Sequence, residues 1–174
     1  MQYPEDDTGS LGERIDSAYL PQLTLDTVTS SISGTSATMD YDAAGRVRQR
    51  SLGEQGLTTQ FTCNQWGAQG GRLLAMNSVI GEATLQDLGY NYDPAGNILN
   101  IYDDSDAMGT EQTLTFTYDA NDRLVSAQAT GGGQGNYANQ PYSYSSVTGN
   151  LSSKAGVTYS YLAVWGMTQV CMDH

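Results

Sequence analysis

The sequence predicts an all-β protein in which serial β-hairpins pair into a curved, open antiparallel strip. Three observations carry this prediction. The first is composition: Tyr supplies twelve aromatics against two Phe and two Trp, Ser and Thr together number 34, and charged residues are only 15%. Such a chain favours strands and turns over helices. The second is short stretches in which apolar residues recur at every other position, the period of a half-buried strand. The third is one turn sequence that returns at a constant interval.

The first 35 residues match that repeat poorly, although Leu23-Thr24-Leu25 and Thr27-Val28-Thr29 read as strand. Residues 36–161 form the repeat region. Its turns are Tyr41-Asp42-Ala-Ala-Gly45-Arg46-Val47, Tyr92-Asp93-Pro-Ala-Gly96-Asn-Ile98, Tyr118-Asp119-Ala-Asn-Asp122-Arg123-Leu124 and Tyr144-Ser-Ser-Val-Thr-Gly149-Asn-Leu151. The gap between Tyr41 and Tyr92 asks for a hidden copy. Trp66-Gly-Ala-Gln-Gly-Gly71-Arg72-Leu73 supplies one, so repeats start at 41, 66, 92, 118 and 144, separated by 25, 26, 26 and 26 residues.

Each copy reads as one hairpin. Leu88, Tyr90 and Tyr92, then Leu114, Phe116 and Tyr118, then Tyr142 and Tyr144, alternate toward one face, with Thr115 and Thr117 on the wet side. Asp93-Pro94-Ala95-Gly96 carries the type I preferences at its first, second and fourth positions. The Gly then adopts the left-handed conformation that closes a hairpin with a bulge. Asp122 holds that place in the fourth copy, and Asp tolerates left-handed geometry better than most residues. Asp42, Asp93 and Asp119 are expected to cap their own turns. One hairpin is marginal in water; several in series bury a continuous Tyr and Leu surface. Asp103–Gly109 and Thr130–Asn136 read as loops between hairpins.

The remaining features exclude more than they suggest. The net charge is −12, and only Arg46, Arg48 and Arg50 stand close together among the basic residues. Nucleic acid and anionic membrane surfaces need clustered cations, so neither is an expected partner. No apolar run reaches transmembrane length. The acidic, polar N-terminus does not read as a signal peptide. Cys63 and Cys171 allow at most one disulfide and have no metal spacing.

The one His, His174, is the last residue, and no Ser lies in a nucleophile-elbow sequence. The acidic run Asp103-Asp104-Ser105-Asp106 fails the calcium-loop pattern at Met108 and Thr115. Gly131-Gly132-Gly133-Gln134-Gly135 lacks the Lys of a phosphate loop. No catalytic residue, cofactor or metal site is predicted. Tyr pairs such as Tyr90 with Tyr92 and Tyr142 with Tyr144 read as core. Their alternative reading is a carbohydrate or cell-surface binding module that stacks sugars on exposed Tyr.

From Met39 to Tyr161, the Tyr-Asp-x-x-Gly-Arg-Leu turn resembles the YD repeat of the Rhs family of bacterial Rhs toxins, toxin-complex subunits and animal teneurins. The residues carrying the resemblance are Tyr41, Asp42, Gly45 and Arg46; Trp66, Gly71 and Arg72; Tyr92, Asp93 and Gly96; Tyr118, Asp119 and Arg123; and Tyr144 and Gly149. The resemblance implies a β-strip that spirals into a hollow shell, a structural and non-enzymatic role, and an extracellular or cell-surface location. It implies as partners the rest of a larger shell or an enclosed toxin domain, and open strand edges predict self-association.

Full shells hold many more copies, so the chain reads as a shell fragment. It lacks the core motif that precedes the toxin in bacterial members, and autoproteolysis is not carried over. Residues 162–174 depart from the pattern. After Val157-Thr158-Tyr159-Ser160-Tyr161, a polar turn is replaced by Leu162-Ala163-Val164-Trp165-Gly166, which reads as a truncated or frameshifted end. Translation of the neighbouring frames tests this, with further repeats expected there.

Overall fold

A computed structural model describes residues 12–32, 36–53, 56–105, 111–132, 135–164 and 167–173. His174 and the stretch 106–110, with most of the loop weighed above as a calcium site, lie outside them. The fold is all-β and antiparallel. The chain forms two compact units, Met1–Leu88 with Ser105–Ala107 and Gly89–Asp104 with Met108–His174.

The first unit contains β1 (Ile15–Tyr19), β2 (Leu25–Ser30), β3 (Ser36–Tyr41), β4 (Val47–Leu52), β5 (Leu57–Cys63) and β6 (Leu73–Ile80), with a single helical turn α1 (Trp66–Gln69) between the last two. Each strand pairs antiparallel with the next in sequence. Strand β7 (Ala83–Tyr92) gives its first six residues to this unit and its last four to the second. The second unit continues with β8 (Ile98–Asp103), β9 (Gln112–Tyr118), β10 (Leu124–Gly131), β11 (Tyr137–Tyr144), β12 (Leu151–Lys154), β13 (Val157–Val164) and β14 (Met167–Asp173). From β8 onward, pairing again follows chain order and is antiparallel throughout.

Register separates two faces in each unit, because residues directly opposite one another share a face. In the first unit Val28, Ala37, Leu52 and Leu57 form one cross-strand row. The other face carries Thr27, Thr38, Ser51 and Thr58, beside a row of Asp40, Gln49, Gln60 and Asn77. In the second unit Ile101, Leu114, Ala129 and Tyr137 line up on one face, and Asn100, Thr115 and Gln128 on the other.

Burial is shallow on both. Among the described residues the buried apolar side chains are Ala127 (4% exposed) and Ala129 (2%). Leu114, Phe116 and Tyr118 are half-buried. An apolar face excludes water fully only when a second layer covers it. The polar face is correspondingly drier than the alternation predicts: Thr117 is exposed, but Thr115 is half-buried and its hydroxyl accepts from Asn100 Nδ2 at 3.1 Å.

The repeat begins earlier than the sequence indicates. Tyr19 pairs with Leu25 across a turn in which Leu20 N–H donates to Thr24 C=O at 2.9 Å and Leu23 N–H to Leu20 C=O at 2.8 Å. The same two bonds close the turn after Tyr41, from Asp42 to Arg46 and from Gly45 to Asp42. Leu23 even takes the left-handed φ of +65° that Gly45 takes at +79°. The segment 1–35 therefore holds a further repeat, Tyr19-Leu-Pro-Gln-Leu-Thr-Leu25.

A leucine held left-handed is strained, and Leu23 is 84% exposed, so its side chain contributes little packing. Leu23→Gly is expected to stabilise the protein by about 0.5–1 kcal/mol, read as a higher urea midpoint.

The copy predicted to start at Trp66 is shifted. Cys63 pairs with Leu73, and Asn64 N–H donates to Arg72 C=O at 2.8 Å, the bond that Asp42 makes to Arg46. Cys63 thus stands where the other copies have Tyr, while Trp66 opens α1 inside an enlarged turn. Gly71 and Arg72 keep their places at its end, Gly71 with φ +73°.

At the other end, β13 runs on through Val164 past the place where a turn is expected, pairing from Thr158↔Asp173 to Val164↔Met167. The stretch 162–174, read from sequence as outside the repeat pattern, is therefore largely strand. The Thr130–Asn136 loop begins later than predicted, because Gly131 still pairs with Gln112 in the ladder.

Candidate functional site: the row of hairpin turns

Most of the chemistry-bearing side chains singled out in the sequence lie at the hairpin turns. Asp42 Oδ1 accepts from the backbone N–H groups of Ala44 (2.9 Å) and Arg46 (3.0 Å). Asp93 Oδ1 accepts from Gly96 (2.7 Å) and Asn97 (2.9 Å). Asp119 Oδ1 accepts from Asn121 (2.9 Å) and Arg123 (3.0 Å). Ser145 takes the same role with its hydroxyl in a turn one residue longer, accepting from Val147 (3.3 Å) and Thr148 (3.1 Å). Gly45, Gly96 and Gly149 are left-handed, and Asp122 fills that position at φ +58°.

The second carboxylate oxygen binds the side chain five residues past the repeat's leading aromatic. Arg46 Nη2 lies 2.6 Å from Asp42 Oδ2, and Arg123 Nη2 lies 2.6 Å from Asp119 Oδ2. Asn97 Nδ2 donates to Asp93 Oδ2 at 2.9 Å. That side chain also reaches the next turn. Arg46 Nη1 donates to Gly71 C=O at 2.8 Å, and its guanidinium carbon lies 6.0 Å from the Trp66 ring centroid. Asn97 Nδ2 donates to Asp122 Oδ1 at 2.8 Å. Arg123 lies over the Tyr144 ring at 4.5 Å.

A second link runs the opposite way. The hydroxyls of Tyr41, Tyr118 and Tyr144 donate to the carbonyls of Leu25 (2.7 Å), Ile98 (2.8 Å) and Leu124 (2.8 Å), each the first residue after the preceding turn. These hydroxyls are engaged with backbone rather than presented for a sugar. The sequence contained only an indirect sign of both links, the constant separation of the copies.

The electrostatics follow this geometry. Asp42 and Asp119 are held below the ordinary carboxylate value of 3.8, first by hydrogen bonds from Arg46 and Arg123, and Asp93 is lowered first by Asn97. A depressed folded value means stability that is complete above the unfolded pKa and is lost as pH falls through the folded one. The melting temperature is therefore expected to be insensitive to these groups at neutral pH and to drop below about pH 4. Asp42→Asn with Asp119→Asn should flatten that acid limb in a thermal melt series.

Tyr90 and Tyr118 are raised above 10.0, chiefly by burial, with Asp103 and Asp93 adding to it. Their contribution is lost as pH rises past that value.

Among the described residues no group of three or more His, Cys, Asp or Glu is placed to hold a metal. Cys63 is a free thiol. Arg48 is paired with Asp40 at 2.6 Å, so the basic cluster of the sequence is partly neutralised. Among the described residues no helix is long and apolar enough to cross a membrane.

Turns linked forward by one side chain and backward by another define a β-hairpin repeat protein. Residues 92–134 match the family model described as RHS Repeat. The fold is shared with two solved toxin-complex structures. One is a crystal structure of TcdB2-TccC3-TEV, with 19% identity, TM-score 0.51, and 83% of this chain and 10% of that chain covered. The other is a Photorhabdus luminescens Tc holotoxin pore carrying a TccC3 mutation, with 18% identity, TM-score 0.52, and 95% and 12% covered. The chain thus spans about a tenth of the length of the solved chains it matches. No curated protein matches it in sequence.

Proposed function

We propose that the chain is a non-enzymatic wall segment of an Rhs-type shell, contributing hairpins to a strip that encloses or displays another polypeptide. The observation that carries this reading is the two-way linkage between turns. The sequence invests its Asp, Arg, Asn and Tyr side chains in joining one hairpin to the next. Its partners are further repeats of the same kind and an enclosed toxin domain, and its location is extracellular or at the cell surface. The fold likeness to toxin-complex structures supports the assignment.

A wall segment has strand edges that accept further strands. Sedimentation of the purified chain over a concentration series tests this. Association that grows with concentration, and is suppressed by added peptides of repeat sequence, is expected. A strict monomer at every concentration would overturn the reading.

A further inference from the structure

The chain has seven Lys and Arg residues, and all but one of them are engaged. Arg14, Arg46, Arg48 and Arg123 pair with Asp16, Asp42, Asp40 and Asp119. Arg72 Nη1 donates to Gln69 Oε1 at 3.5 Å, and the Lys154 ammonium lies over the Tyr142 ring at 5.7 Å. Arg50 stands apart. Among the described residues it has neither an ion pair nor a hydrogen bond, and its Nε is sealed from water with no acceptor.

Its place in the sheet sharpens this. Arg50 is opposite Met39 on one side and Thr59 on the other, and two residues from Leu52 on β4. It therefore stands on the face of the first unit that carries Val28, Ala37, Leu52 and Leu57. Its cross-strand row, Met39, Arg50, Thr59 and Ser78, contains no carboxylate. Thr59 and Ser78 are buried, but their hydroxyls bond each other at 2.9 Å and leave the guanidinium alone. The apolar residues of this face are only half-buried, as is Arg50 itself. A part-dehydrated cation without a counter-charge is costly, and a carboxylate brought to it offsets that cost.

We propose that this face docks a polypeptide segment in which apolar side chains flank an Asp or Glu, with that carboxylate received by the Arg50 guanidinium. The two terminal nitrogens, unlike Nε, are not sealed off, and their fork matches a carboxylate with two parallel hydrogen bonds. The apolar neighbours of the acid cover Val28, Met39, Leu52 and Leu57. A polyanion fits less well, because the face offers a single unmatched cation in a chain of net charge −12. The docking site is a sheet face rather than a strand edge, and it does not depend on the shell assignment.

Fluorescence anisotropy of labelled peptides titrated with the full chain tests it. The probes are a short peptide alternating Val with Glu and its counterpart alternating Val with Gln. The Glu peptide is expected to bind about tenfold more tightly, a preference that fades with added salt. Arg50→Gln should abolish the preference, and Arg50→Lys should keep part of it. Arg48→Gln makes the same change in net charge at an arginine already paired, and should leave the preference intact. Circular dichroism checks that each variant is folded; should Arg50→Gln not be, Arg50→Lys decides, with a reduced preference supporting the proposal and an unchanged one overturning it. Equal binding of the two peptides, as strand edges would give, overturns the proposal. So does no binding of the Glu peptide, a preference that survives Arg50→Gln, or tighter binding of a DNA oligonucleotide than of the Glu peptide.

Discussion

Gly131→Ala is expected to destabilise the protein by about 3 kcal/mol, among the largest effects of any single methyl group in this chain. Gly131 pairs with Gln112 at the end of β10, with φ +140°, a conformation that side-chain-bearing residues rarely adopt. A Cβ there would run into the backbone carbonyl of Glu111 and the Cα of Gln112. Neither can swing aside as a flexible side chain would. Gly132 N–H donates to Glu111 C=O at 3.2 Å, and Asn136 Nδ2 donates to Gly131 C=O, so the surrounding turn is tied to the same atoms. Urea denaturation provides the measurement. Gly135→Ala is the control, because Gly135 has φ +103° but open space around its Cα. It should cost only the conformational part, about 1 kcal/mol. Equal costs at the two positions would remove the steric argument.

The second large effect belongs to the tyrosine hydroxyls. Tyr41→Phe, Tyr118→Phe and Tyr144→Phe each remove a donor from a carbonyl at a part-buried site. Each is expected to cost about 1 kcal/mol. The three carbonyls share no partner, so the triple variant should lose about 3 kcal/mol by addition. Tyr19→Phe is the comparison. Tyr19 opens the earliest repeat and is 61% exposed, so its substitution should change stability by no more than about 0.5 kcal/mol. A triple variant as stable as the parent would mean that water satisfies those carbonyls equally well.

What was legible in the sequence was the turn wherever its own chemistry was written out. Asp at the first position and Gly at the left-handed position identify the turns after Tyr41 and Tyr92. Asp122 marks the third, because its short polar side chain tolerates the same geometry. The repeat at Tyr19 was not legible, because Leu20 and Leu23 occupy the Asp and Gly places. The β1–β2 pairing on either side of the turn holds a backbone that local preference opposes. Its remaining signs were Pro21 and the Tyr to Leu25 flanks.

The copy at Cys63 was misplaced for the converse reason. Trp66 offered an aromatic at a plausible distance from Gly71-Arg72-Leu73, and periodicity cannot distinguish that from an enlarged turn whose strand ends at a thiol. The linkage of turns by Arg46, Asn97 and Arg123 depends on side chains meeting across hairpins, which spacing alone does not reveal.

The order of strands has a consequence for how the chain is made. Within each compact unit every strand after the first pairs with one already synthesised, and the hydroxyls of Tyr41, Tyr118 and Tyr144 bond carbonyls that left the ribosome sixteen, twenty and twenty residues earlier. Among the described residues no early strand waits for a distant late one, so contact order is low for a protein built mainly of strands. The newest hydrogen-bonding edge is covered by the next hairpin to emerge. A sheet that grows in the direction of translation exposes a new margin only briefly, while the outer edge of its first strand stays open throughout.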